Sequence, residues 1–193
     1  SLGTASDNTS GAGLLLQVPD YITPGLHVIL LIEHSSGGSV ISVSDSQSNV
    51  WTIDQPSIFN GTLGIAVASA RITSPILSGD NILITNAAVS QKAVVGEIFR
   101  GIAAVNYVDR IASNANMGYL IDTGITAPTI TSKELVVGSL GTLGAYDITF
   151  VPNSATNLQE QNSQAGNVNN RIVTGAFRIT TTQGTYSITG TLT

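Results

Sequence analysis

The sequence predicts an all-β protein: an antiparallel β-sandwich, jelly-roll-like, of about ten strands. Three observations carry this. The apolar runs are short and rich in Val, Ile and Thr, they are bounded by Gly, Pro, Asn and Ser, and no segment sustains a helical period. At 193 residues the chain can bury one substantial core. We therefore expect an N-terminal arm over residues 1–12 and a single sandwich domain over 13–193.

Taken in order, "GLLLQV" (Gly13–Val18) is a strand closed by the turn-rich "PDYITPG", and "HVILLIEH" (His27–His34) is a second, closed by "SSGG". The stretch "SVISVSDSQSNVWTID" (Ser39–Asp54) alternates apolar and small polar residues, breaks into polar ones, and resumes at Trp51. This reads as a hairpin with Ile41 and Val43 on one face, matched by Trp51 and Ile53 after the break. "LGIAVASARI" (Leu63–Ile72), "NILIT" (Asn81–Thr85) and "AVVGEIF" (Ala93–Phe99) follow, then an irregular section through Asn116. "YLIDTGIT" (Tyr119–Thr126), "ELVVGSL" (Glu134–Leu140), "RIVTGAFRIT" (Arg171–Thr180) and "GTYSITGTLT" (Gly184–Thr193) complete the set. The polar excursion Asn153–Asn170 is long for a compact domain, and long ordered loops are usually functional or interfacial.

Charged residues make up only 10% of the chain, against about 25% in an average soluble domain. The surface is therefore built from Ser, Thr, Asn, Gln and Gly, which favours association and suits an assembly or an extracellular setting. A net charge of −5 with seven Lys and Arg argues against nucleic acid, which needs a basic footprint. No apolar run has the length of a transmembrane helix, so no membrane insertion is expected. With no cysteine, disulfides and thiolate metal sites are excluded. The start at Ser1 fits either loss of an initiator Met or cleavage of a signal peptide.

Asp45, Gln47 and Asn49 offer oxygens at alternate positions, as the first half of a calcium loop does. Val50, however, stands where such a loop needs Gly, and Pro56 where it needs a bidentate Glu. Asp and Asn also fold onto nearby backbone N–H groups, and a turn is the better reading.

The stretches "VSDSQSNVWT", "GDNILIT", "VGEIFRGI", "TAPTITSKELVVG" and "TTTQGTYSITGT" together resemble a β-sandwich module of phage tail and other virion proteins and of bacterial secreted surface proteins. In that family a D-S-x-G-N-x-W/Y-T hairpin recurs, and Ser48 here replaces its glycine. The resemblance runs loosely from about Ser39 to the C-terminus. It implies a structural role on a virion or an extracellular surface, and it brings no catalytic residues with it.

Nothing in the sequence points to an enzyme or calls for a cofactor. His27 and His34 are seven apart in one predicted strand, hence on opposite faces, and cannot chelate one metal from that strand. The aspartates sit mostly at turns, while Glu33 and Glu97 lie within strands, either facing solvent or buried with a partner such as Arg100 or Arg178. Trp51 and Tyr186 read as core. Tyr107, Tyr119 and Tyr146 lie near loops and are the candidates for interface anchoring or for stacking on a surface glycan. Lys92 and Lys133 are the lysines an isopeptide cross-link to Asn or Asp would use. Asn8 and Asn60 open N-x-S/T sequons, acceptors only on export through a glycosylating pathway. The expected role is a non-enzymatic structural subunit packing with copies of itself or a neighbouring subunit; the alternative is an adhesin or carbohydrate-binding module. The arm, poor in apolar surface, is expected to add a strand to a neighbouring subunit's sheet edge.

Overall fold

The computed structural model describes residues 1–35, 37–115, 119–144, 148–150, 155–163 and 170–192. Among the described residues all regular structure is β. The first eight strands are β1 (Gly3–Asp7), β2 (Gly11–Gln17), β3 (His27–Ser35), β4 (Val40–Asp45), β5 (Trp51–Phe59), β6 (Leu63–Arg71), β7 (Asn81–Val89) and β8 (Lys92–Phe99). They pair as one long antiparallel hairpin would: β1 with β8, β2 with β7 and β3 with β6. That hairpin is then rolled so that β3 also pairs β8, β4 pairs β7 and β5 pairs β6. This nesting is the topology of a jelly roll. It gives a five-stranded sheet, β1-β8-β3-β6-β5, facing a three-stranded one, β2-β7-β4.

The remaining strands are β9 (Leu120–Asp122), β10 (Leu135–Leu143), β11 (Ile148–Phe150), β12 (Thr156–Asn157), β13 (Gln161–Asn162), β14 (Arg171–Ile179) and β15 (Thr189–Leu192). They add two further sheets, one from β10, β14, β12 and β13 and one ordered β11-β15-β9. The sheets stack in four layers, which accounts for the composition of β3. Its residues Val28, Leu30 and Ile32 enter the main core with Leu14, Leu16, Ile82 and Ile84. On its other face Leu31 packs with Val95 and Val173 in a second core. A strand buried on both faces reads as a continuous apolar run, as "VILLI" does. Glycines let the layers close: a Cβ on Gly175 would lie 2.4 Å from Leu31 Cδ1, and one on Gly138, facing the outermost sheet, 2.5 Å from Ile188 Cβ.

Several expectations are corrected. The N-terminal arm does add a strand to a sheet edge, but within its own chain: β1 extends β8, and Leu2 is buried against Gly96. The arm is fastened at both ends. The Ser1 ammonium lies 3.5 Å from Glu97, and buried Lys92 Nζ lies 3.0 Å from Asp7 Oδ2 while donating to the carbonyls of Thr9, Gly11 and Val89.

Trp51 and Ile53 both pack on the main core, as expected. Ser39–Asp54 is nevertheless not a hairpin, because β4 and β5 belong to different sheets and the break carries the chain across the sandwich. A bulge between Val40 and Ser42 also breaks the alternation, burying Val40 and Val43 and leaving Ile41 64% exposed. The excursion before Asn170 supplies β12 and β13 to the edge of β14, and Gln161 and Gln159 reach back to Ser6 and Ser1 of the arm.

Candidate functional site

The site follows from a mismatch in width between layers. The five-stranded sheet is covered on one face by β14 over β3 and β8, by β10 over β6, and by β13 over β1 and β8. Among the described residues that layer makes no comparable contact with β5. The uncovered side is closed by the irregular segment after β8 and by the segment between β9 and β10, and a cavity of about 920 Å³ remains. That size lies within the range of small-molecule sites.

Its walls are mostly apolar. Ile29, Ile65 and Val67 form one side, and Val137, Leu140 and Phe177 the other. One part is polar, lined by His27 and Ser69 of the face that carries Ile29, by Asp54 of β5, and by Tyr107 from the segment after β8. The Ser69 hydroxyl lies 3.5 Å from the Tyr107 hydroxyl, and the Tyr107 ring meets His27 edge-on at 4.8 Å between centroids. Burial, seconded by the charge of Arg71, holds His27 below the ordinary histidine range. Burial lifts Asp54, with a hydrogen bond to Ser69 opposing the shift. His27 is 1% exposed, and neither ring nitrogen has a hydrogen-bond partner. Asp54 thus bonds Ser69, Ser69 approaches Tyr107, and Tyr107 touches His27.

His34 points the other way. Its Nδ1 lies 3.0 Å from the Ser35 carbonyl and its Nε2 2.9 Å from Ser57 Oγ, the pattern of a neutral imidazole fixed within a core. The opposite-face reading of the two histidines therefore holds.

Of the three tyrosines singled out, Tyr107 lines the cavity, half-buried. Tyr119 stands apart at the edge strand β9, 74% exposed, and Tyr146 lies outside the described residues. Tyr186 is half-buried, with the Arg178 guanidinium 4.6 Å above its ring. Asn8 is exposed in the β1–β2 turn. Asn60 Oδ1 accepts from the Thr62 and Leu63 amides, closing the β5–β6 turn.

The Asp45–Asn49 stretch is scaffold. Asp45 Oδ1 accepts from the amides of Gln47 and Asn49, Oδ2 accepts from Trp51 Nε1, and Asn49 Oδ1 accepts from the amides of Thr73 and Ser74. Oxygens already engaged by N–H groups are poor ligands for a cation. Glu33 is buried at the layer interface with Arg171, Oε1 to Nε 3.6 Å, not with Arg100 or Arg178. Glu97 pairs with the N-terminus. Lys92 meets a carboxylate at Asp7, but its ammonium is held by three carbonyls as well, which suits an ion pair and not an attacking amine.

Sequence reasoning did not bring His27, Asp54, Ser69 and Tyr107 to one cavity. His27 and Asp54 are unremarkable within their strands, and only the burial of a lone histidine in an apolar run signals the site. Comparison with protein-family models, with curated proteins and with solved structures finds no match for the chain.

Proposed function

We propose that the protein is a non-enzymatic structural subunit that assembles with copies of itself on a virion surface or in an extracellular filament. One observation carries the reading: a chain of which only 10% is charged leaves Val105, Ile125, Ile130 and Ile179 each more than 60% exposed. These residues belong to neighbouring segments. The amide of Ile130 donates to Asp109, the Arg110 Nε donates to the Pro128 carbonyl, and Gln183 donates to the Ile130 carbonyl. Exposed aliphatic groups on a weakly charged surface lose hydration most readily against another protein surface. The resemblance of the stretches from about Ser39 to the C-terminus to virion and surface modules supports the same role, although Ser39–Asp54 itself does not form that family's hairpin. Sedimentation velocity over a rising concentration series tests it. The chain should pass from monomer to larger species, and Ile125→Asp with Ile179→Asp should suppress the transition. A wild-type chain that stays monomeric into the millimolar range overturns the reading.

A second reading, an adhesin or carbohydrate-binding module, is favoured by Tyr119, whose exposed ring at a sheet edge is free to stack on a sugar face. Glycan-array binding lost in Tyr119→Ala would support it.

A further inference from the structure

We propose that the cavity between the five-stranded sheet and the β10–β14 sheet is a slot for a single extended, uncharged segment of a partner polypeptide, which pairs its main chain with the open edge of β10. Strand β10 is nine residues long and pairs with β14 alone among the described residues. No other backbone hydrogen bond among the described residues reaches Leu135–Leu143. The edge therefore presents unpaired main-chain N–H and C=O groups at alternate residues. The cavity runs along that edge. Seven consecutive residues, Leu135–Gly141, line it, although successive residues of a strand face opposite sides of their sheet. A Cβ on Gly138 would meet Ile188 on one side, and a Cβ on Gly141 would meet Ile65 on the other. A cavity in touch with both faces meets the strand edge-on.

Strand β5 also ends its sheet over nine residues, but it carries Asp54 and Pro56 and its register with β6 shifts twice. Those features keep a further strand from pairing. Strand β10 has none of them: its register with β14 is unbroken, and it contains no charge and no proline. Since β10 lies over β6, a strand added beside it falls over β5, where that layer is missing. Alternate residues of the added strand then meet Ile58, Ile65 and Val67, which calls for aliphatic side chains. A small hydrocarbon would fit the walls but leave the edge amides and carbonyls unpaired. A second copy would bring a whole sheet, and the segments after β8 and between β9 and β10 wall the slot against anything broader than one strand. Residues 100–115 make no backbone hydrogen bond with any described residue, so their displacement on entry of a strand breaks no existing pairing.

The probe is a heptapeptide of alternating threonine and valine with a lysine added at each end for solubility. It is titrated by fluorescence anisotropy against the full chain, at a concentration where sedimentation shows a monomer. Saturable binding is expected. Successive amides of a strand point to opposite sides, so N-methylation of all the valines or of all the threonines removes the donors facing β10 in one of the two peptides only. That peptide should bind at least about tenfold more weakly than the parent, and the other as the parent does. In the chain alone, the β10 amides turned away from β14 should exchange with solvent faster than those bonded to it, and saturating peptide should slow them at least about tenfold. Val67→Phe, which fills the slot from its floor, should weaken binding. Absence of saturable binding up to millimolar peptide overturns the proposal. So does equal affinity for all three peptides, the mark of an apolar pocket that ignores the main chain, or a folded Val67→Phe variant that binds as the wild type does. Uniform protection of the β10 amides in the chain alone shows the edge already covered, and protection that grows with protein concentration assigns it to a second copy; either result overturns the proposal. If Val67→Phe fails to fold, the peptide series and the exchange rates decide the matter. Because the titration is made on monomers, its failure leaves the assembly reading standing, and failure to assemble leaves the slot standing.

Discussion

The indole Nε1 of Trp51 donates a 2.7 Å hydrogen bond to Oδ2 of Asp45, joining the last residue of β4 to the first of β5 where the chain crosses from one sheet to the other. The same carboxylate gathers the amides of Gln47 and Asn49, so one side chain organises the whole crossing. Asp45→Ala should cost about 2–3 kcal/mol, the loss of charge-assisted hydrogen bonds at a half-buried site. Trp51→Ala should cost about 3 kcal/mol through lost packing on the core. Urea denaturation of the two variants and the double variant should show the costs to be less than additive. Excess EDTA should leave the melting temperature unchanged.

Ser48, within that crossing, has φ +57°, the left-handed region where a Cβ is strained and glycine is not. Ser48→Gly should therefore stabilise the protein by about 0.5 kcal/mol, offset in part by the added freedom of the unfolded chain. A drop in melting temperature would show that the Ser48 side chain contributes more than its backbone costs.

Glu33 and Arg171 form an ion pair between layers, with Glu33 completely buried. Burial drives the Glu33 carboxyl well above its ordinary range, and the charge of Arg171 opposes that shift. Arg171→Met alone strands the carboxylate and should cost about 3–5 kcal/mol, whereas Glu33→Leu combined with Arg171→Met should recover most of the loss. Chemical denaturation at pH 7 of the single and double variants checks this.

His34 is held below the ordinary histidine range by burial, its contact with the Ser35 carbonyl opposing, and His27 is shifted the same way. For such a group the unfolded chain binds protons that the folded chain does not. Stability is full above the unfolded value near 6.5 and falls as pH drops below it toward the folded value. Glu33 runs in the opposite sense, since a raised folded value adds stability that is lost as pH rises through it. The discriminating measurement is therefore a difference. His34→Gln should be less stable than wild type at pH 7 but should lose less on going to pH 5, the Glu33 contribution cancelling between the two proteins.

Leu2 is 1% exposed and anchors β1 to its own sheet. Leu2→Ala should cost about 2–4 kcal/mol, and deletion of residues 1–10 should lower the melting temperature of the isolated chain. An unchanged melting temperature after that deletion would show that the arm is not docked.

The sequence by itself determined that the longer apolar runs are strands and where the chain breaks between them, but not β1, β11, β12 and β13. Period-2 alternation and Gly, Asn and Asp at the breaks are local properties, and Asp45, Asp80 and Asp122 do fold onto nearby backbone amides. It also placed His27 and His34 on opposite faces, since a strand fixes that geometry without reference to its neighbours. Which sheet a strand joins was decided by the tertiary structure alone. The Ser39–Asp54 stretch carries the pattern of a hairpin, but β7 and β6 compete for its two strands and separate them, because burying both faces of the five-stranded sheet outweighs a local pairing. The arm went the same way: one buried leucine and a free edge on β8 fixed a segment whose composition reads as disordered. The pairing of Glu33 with Arg171 and the polar end of the cavity join residues far apart in the chain, and the layers bring them together through burial of the apolar residues around them. Local spacing holds no trace of such contacts.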